Sequence, residues 1–429
     1  MHQSKTRIEK TILPLVIALC FGMSAMAKVP ADTIRTNVPN RAYYKDLYLD
    51  CSISITSKKT LPAADLLGIS MEKLAFNEME DSARQNRVLV GNKDDVNGVL
   101  LYPDGQPRFK VLFINGGSSI IHGRSLGSRG RANIRQFYNN GGSYVGCCAG
   151  AILASQGYGN SDIGVYFKIF PRRLQHTNFA KVDMGLIVDP DSKLLKYYDF
   201  GGDNYVANVR HNVGNYPDDL PKGTEVLGRF DFPKGAKFHH LPMIYAYKTS
   251  NKTGRMVLCG SHPEEPVDGE RRDVCAAMIQ YASEGVGMTQ LKGFLENGKT
   301  REMVKTTQQH DPAYTRIGDL QCHHFAVRVP ENARDISFKL SSTVDISNLK
   351  LAICNDTYAY EDVADYTADA KGARQEMCFS SLTPGIWYVT VKCMDKPVVR
   401  STGYGDFYES SPIDLLNGIP YSIEASWNN

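Results

Sequence analysis

Two tryptophans in 429 residues, a net charge of only +3, and no apolar run of membrane-spanning length are the first absences in this chain. The 49 basic residues nearly match the 46 acidic ones, which removes the polybasic case for nucleic acid. A helix needs about 20 apolar residues to cross a bilayer. The one candidate, Ile12 to Met23, is too short, so no membrane span is expected. Histidines are few and scattered. His211, His239 and His240 lack ligand spacing, and Cys322-His323-His324 fits neither a zinc ribbon nor a haem-attachment pattern. No metal, no other cofactor and no phosphate-binding loop are expected.

The chain opens with a basic stretch (Lys5, Arg7, Lys10), the short apolar core, and Ala25-Met26-Ala27. That order is the pattern of a secretory signal peptide cut after Ala27. It implies a secreted or periplasmic protein. Ten cysteines include one in this leader, and the nine that follow are an odd number, so at least one thiol stays free if the rest pair. In an oxidising compartment Cys354 with Cys378 would close one hairpin loop.

Gly146-Cys147-Cys148-Ala149-Gly150 reads as a nucleophile elbow with cysteine in the usual serine position. Ser143-Tyr144-Val145 before it reads as a short buried strand, and Ala149 to Ala154 as the start of a small-residue helix. Gly146 and Gly150 leave room where side chains would collide with the neighbouring strand and helix. The pattern selects Cys148 as nucleophile at a helix start, where the dipole favours a thiolate. Cys147 would point into the sheet as a small buried hydrophobe.

Ser261-His262-Pro263-Glu264 follows another apolar run, Arg255 to Gly260. A carboxylate two residues beyond a histidine can hold the imidazole's tautomer, as in Cys-His-Glu chemistry. Glu265 competes for that role. Oxyanion donors are expected from the N–H groups of Ala149, Gly116 and Gly117, the glycines closing the apolar strand Lys110 to Ile114. Arg124, Arg129, Arg131 and Arg135, with His122, lie between that turn and the elbow. Two readings stand for them: a solvated helix face, or recognition of a substrate carboxylate by Arg124, Arg129 and Arg131.

These motifs resemble the class I glutamine amidotransferase-like superfamily, and within it the biotin-protein ligase N-terminal type. The residues that carry the likeness are Phe113 to Gly117, Gly146 to Ala151 and Val257 to Glu264, with Tyr197 to Gly202 and Thr224 to Phe230 between them. The resemblance spans roughly 40 to 285. It implies a flavodoxin-like α/β fold with a mainly parallel sheet. Strands are expected at Asp46–Thr56, Val88–Val90, Val99–Tyr102, Met184–Val188 and Met243–Tyr247, with helices from Pro62 and over 270–295.

After a polar stretch at 296–310, read as a linker, short alternating runs separated by turn residues predict a small all-β sandwich over 311–429. This part resembles the bacterial pre-peptidase C-terminal domain, through Arg328-Val329-Pro330, Asp345 to Ile353, Leu382 to Val389 and Tyr421 to Ala425. The expected organisation is a signal at 1–27, an amidotransferase-like unit at 28–295, a linker, and the sandwich. The readings that follow are a secreted cysteine amidase or peptidase acting on a small-molecule amide or a peptide, an inactive binding protein on the same fold, or a glutaminase supplying ammonia to a separate partner. The sandwich would supply a contact for protein or glycan.

Overall fold

The computed structural model describes residues 33–50, 61–68, 71–75, 97–232, 237–265, 268–309, 311–396, 398–402, 405–409 and 417–429. The leader at 1–27 and the strand expected at 88–90 lie outside these residues. The first unit holds β1 (Lys45–Asp50), β2 (Met71–Ala75), β3 (Phe109–Ile114), β4 (Ser143–Cys147), β5 (Leu174–His176), β6 (Val182–Val188), β7 (Tyr205–His211), β8 (Asn215–Pro217), β9 (Glu225–Asp231), β10 (Pro242–Tyr247) and β11 (Met256–Cys259). Nine of them form one sheet in the order β2-β1-β3-β4-β11-β10-β9-β6-β7, and β5 pairs with β8 alone.

The central strands are buried on both faces, which is why they read as unbroken apolar runs. Val111, Phe113, Val145, Cys147, Val257 and Cys259 pack on the side of the helix Glu270–Ser283. Leu112, Ile114, Tyr144, Met256 and Leu258 pack on the other side, with Ile134, Phe137 and Tyr138 of the helix Gly127–Asn139 and Ile152 to Ala154 of the elbow helix.

The sheet is mixed rather than mainly parallel. The pairings β1–β2, β1–β3, β3–β4 and β4–β11 are parallel, and β11–β10, β10–β9, β9–β6 and β6–β7 are antiparallel. Parallel neighbours need a crossover, usually a helix. Among the described residues from 155 to 269 there is no α-helix, only two short 3-10 turns, so those strands return antiparallel. Val99 to Tyr102 is a buried turn rather than a strand. It folds back over Pro103 to Gln106, with Tyr102 N–H donating to the Gln106 carbonyl at 2.8 Å.

The second unit holds β12 (Leu291–Phe294), β13 (Arg301–Met303), β14 (Cys322–Val329), β15 (Arg334–Ser341), β16 (Leu349–Cys354), β17 (Tyr366–Ala368), β18 (Arg374–Phe379), β19 (Gly385–Cys393), β20 (Val398–Thr402), β21 (Gly405–Glu409) and β22 (Tyr421–Asn428). Sheets of order β12-β14-β19-β16-β17 and β13-β22-β15-β18 enclose a core that includes Phe325, Phe338, Leu351, Trp387, Val389 and Ile423. The boundary shifts: β13, within the stretch expected as a linker at 296–310, edges one sheet of the sandwich, and β12, expected in the first unit, edges the other. The closing helix also stops at Ser283, well short of 295.

Gly293 to Thr300 does fit the G-x-x-x-x-G-K-[ST] spacing, contrary to the expectation of no such loop. Its surroundings are not those of a phosphate cradle, which needs a strand before and a helix after. The segment turns from β12 into β13, and the Lys299 ammonium reaches Glu296.

The two units are tied by buried charge. Arg108, just before β3, pairs with Asp319, just before β14, and both side chains are fully buried. Lys292 on β12 reaches Asp104 at 2.5 Å. The segment before β1 also lies on the second unit. Arg35 and Arg41 pair with Asp356 and Asp362, and the Tyr358 hydroxyl donates to the Arg35 carbonyl at 3.0 Å.

All eight described cysteines are free, which corrects the Cys354–Cys378 pairing. Cys354 is buried at the end of β16 in one sheet and Cys378 is exposed on β18 in the other, so no hairpin brings them together.

Candidate active site

Strand β4 ends at Cys147, and the chain turns sharply at Cys148 into the helix Ala149–Ala154. Cys148 has φ 45° and ψ −101°, a conformation that a side chain adopts only under strain. Backbone bonds hold it there. Its N–H donates to the Cys259 carbonyl at 2.9 Å, and its carbonyl accepts from Ile152 N–H at 3.0 Å and from Asn215 Nδ2 at 3.0 Å. The flanking glycines are needed for space: a Cβ at Gly150 would overlap the Ile114 carbonyl, and one at Gly146 would strike Gly150. Cys147 is fully buried among the apolar residues on the Glu270–Ser283 side.

His262 follows β11, the parallel neighbour of β4, on which Cys259 stands opposite Cys147, so it leaves the sheet at the same end as the elbow. A bridge to Arg210 fixes its backbone, with His262 N–H donating to the Arg210 carbonyl at 2.9 Å. A turn follows and brings Glu264 back, so its Oε1 lies 3.1 Å from His262 Nδ1. Both side chains are buried. Nε2 is then the nitrogen left for the Cys148 sulfur. Burial on its own would lower the pKa of His262. The charges of Cys148 and Glu264, with their hydrogen bonds, outweigh that and hold it well above the ordinary histidine range. Glu265 points elsewhere, to Arg210 at 3.7 Å, and stays partly exposed, which leaves Glu264 as the histidine's partner.

Gly116 does not serve as expected. Its N–H donates to Glu264 Oε1 at 3.1 Å, so it orients the carboxylate and is not available to an oxyanion. A Cβ on Gly116 would overlap the His262 ring. Gly116→Ala should therefore push His262 off Glu264. We expect alkylation of Cys148 at pH 6 to slow by about tenfold or more, with the fold retained by circular dichroism.

The arginines divide. Arg131 donates to the Gly123 carbonyl at 2.8 Å and so caps the helix Ser119–Ser125. Arg129 lines a cavity with Asp104, Thr307 and Asp311 at the junction of the two units. The two stand two residues apart and so on different sides of the helix Gly127–Asn139: Arg131 is spent on a main-chain carbonyl, which departs from the substrate-recognition reading, and Arg129 faces this cavity. Arg124 is exposed at the end of the helix Ser119–Ser125. His122 is buried, and that burial lowers its pKa to about 3.

Three side chains near the elbow were not identified from sequence. Asn215 is one. His211 is another: its ring bonds Thr177 Oγ1 at 2.6 Å and Ser261 Oγ at 2.7 Å, next to His262. Burial, with the His262 charge beside it, lowers its pKa to about 4, so it is neutral. Tyr158 is the third. Its hydroxyl donates to the Gly214 carbonyl at 3.2 Å, and burial together with nearby Cys148 raises its pKa. His211 and Asn215 lie more than 60 residues beyond the elbow and Tyr158 ten residues beyond Cys148, and no local spacing marks any of them.

Among the described residues, no group of three or more His, Cys, Asp or Glu side chains is placed to hold a metal. Both histidines of Cys322-His323-His324 turn a ring nitrogen to a hydroxyl. His323 Nδ1 meets the Tyr421 hydroxyl and His324 Nδ1 the Thr390 hydroxyl, each at 2.8 Å.

Residues 99–162 match the model of the biotin-protein ligase N-terminal domain. That segment contains β3, the Gly116-Gly117 turn and Cys148, and stops before His262 and Glu264. Similar solved structures include a glutamine amidotransferase at TM-score 0.36 and 15% identity, over 55% of this chain and 98% of that one. The pre-peptidase C-terminal domain of a collagenase from Bacillus anthracis is similar at TM-score 0.20 and 14% identity, over 32% and 98%. PliG, a periplasmic inhibitor of g-type lysozyme from Aeromonas hydrophila, is similar at TM-score 0.17 and 11% identity, over 30% and 85%. No curated protein matches the sequence. No helix among the described residues is long and apolar enough to cross a membrane.

Proposed function

We propose that this chain is a cysteine hydrolase of C–N bonds, in amides or peptides, exported by a signal peptide cut after Ala27. The observation that carries the reading is the buried His262, with Glu264 on Nδ1 and Cys148 close enough to raise its pKa. The parallel order β2-β1-β3-β4-β11 supports a flavodoxin-like core, with the elbow at a strand's carboxyl end where such sheets carry their sites.

In this mechanism His262 holds the proton of Cys148 and the thiolate attacks the substrate carbonyl carbon. The N–H groups of Gly117 and Ala149 stabilise the oxyanion. The tetrahedral intermediate collapses, the C–N bond breaks, and His262 gives its proton to the leaving amine. Water, deprotonated by His262, then attacks the thioester, releasing the acid and restoring the thiol. Glu264 keeps the ring oriented throughout, and the Gly116 N–H keeps Glu264 oriented.

The test is pH-dependent alkylation with iodoacetamide, with the label located by peptide mass spectrometry. With its pKa held above the ordinary histidine range, His262 is an imidazolium at pH 6, so Cys148 should label fast there. His262→Ala removes the cation and should slow labelling at pH 6 by about tenfold or more. Slow labelling in both proteins, at a rate typical of an ordinary buried thiol, would point to an inactive binding protein.

A further inference from the structure

A cavity lies on the outer face of the sheet β12-β14-β19-β16-β17. Alternation along these strands sends Leu349, Leu351, Ile353, Val389 and Val391 into the core. It sends Lys350, Ala352, Thr390 and Lys392 outward. Register aligns them in two rows, with Thr367, Ala352, Thr390 and His324 in one, and Lys350, Lys392 and Cys322 in the other. This face is roofed rather than open. Ala359, Tyr360 and Glu361 from the loop before β17, and Arg41 to Tyr43 from the segment before β1, cover it and leave a cavity of about 380 Å³.

The charge arrangement inside is costly for a purely structural surface. Lys350 and Lys392 stand directly opposite each other on neighbouring strands, and like charges in that position are destabilising. They share one carboxylate: Glu361 reaches Lys350 at 3.2 Å and Lys392 at 3.0 Å. Asp369 adds a longer contact to Lys350, at 3.8 Å. Both carboxylates are about half exposed or more, where ion pairs are worth little. Arg41 lies 5.5 Å from the centre of the Tyr360 ring at the rim and is already paired with Asp362. The floor is small and apolar or hydroxylic, at Ala352 and Thr390, and the Tyr360 ring forms part of the wall.

We propose that this cavity binds a small organic carboxylate, its charge between Lys350 and Lys392 and its apolar body on Ala352, Ala359 and Tyr360. This site is separate from Cys148 and does not depend on the hydrolase reading.

The probes are phenylacetate and phenethylamine, matched in body and opposite in charge, titrated calorimetrically into the full chain. Phenylacetate should bind saturably and phenethylamine should not. Lys392→Met removes the charge and keeps the stem, and should weaken phenylacetate by about tenfold. Glu361→Gln removes the competing carboxylate and should tighten it, while a merely structural role would make both variants lose binding together. Cys148→Ala should bind as the parent does. Equal binding of both probes, no binding of phenylacetate, or a loss with Glu361→Gln in a chain that circular dichroism shows to be folded would each overturn the proposal.

Discussion

Cys148→Ala is expected to reduce amide or peptide turnover by at least about 10⁴-fold while leaving the fold intact, because it deletes the attacking atom and nothing around it compensates. The elbow does not depend on the thiol. The bonds to Cys259, Ile152 and Asn215 are all made by the backbone of residue 148, and alanine keeps them. Alanine at φ 45° is also no worse strained than cysteine. Unchanged thermal unfolding with abolished turnover is the expected pair of results. Retained turnover in Cys148→Ala would remove the hydrolase mechanism altogether.

The second large effect concerns stability. Asp319→Ala should cost about 3–5 kcal/mol, since it leaves the Arg108 guanidinium buried without its carboxylate. Arg108 Nε also donates to the Val99 carbonyl at 3.0 Å, and the guanidinium lies 4.7 Å from the centre of the Tyr102 ring, so the charge is fixed in place and has no route to water. The loss should appear as a fall in Tm of roughly 10 °C. Replacing both partners with apolar residues, Arg108→Met with Asp319→Leu, should recover most of it, because the cost lies in the unpaired charge. A single variant within about 1 kcal/mol of the parent would show that this pair does not hold the units together.

How much of this was legible in the sequence depends on the distance over which each interaction acts. The elbow is local. A strand, two glycines and a cysteine within five residues leave one backbone solution, and Gly146 and Gly150 are glycines because Ile114 and the elbow helix leave no room for a Cβ. His262 and Glu264 are two residues apart, so their contact needs only one turn. The sandwich strands were legible because alternation reports a sheet with one buried face.

The role of Gly116 was not legible. Two glycines after a strand suit an oxyanion turn, and only the arrival of Glu264, 148 residues later, commits that N–H to the carboxylate. The antiparallel half of the sheet was missed because turn-rich sequence between 156 and 250 shows where strands end, and says little about which way the next one runs. Arg129 and Arg131 looked like an anion site because sequence shows their charge and hides the carbonyls and second unit they face.

The sequence by itself determined the elements whose causes lie within a few residues: the elbow, the His-x-Glu turn, the buried central strands and the alternating strands of the sandwich. Tertiary structure alone decided which N–H faces which carboxylate, that β12 and β13 belong to the sandwich, and that Lys350 and Lys392 stand opposite each other under a roof. These are contacts between residues far apart in the chain, and their energies depend on burial and register that no local pattern encodes.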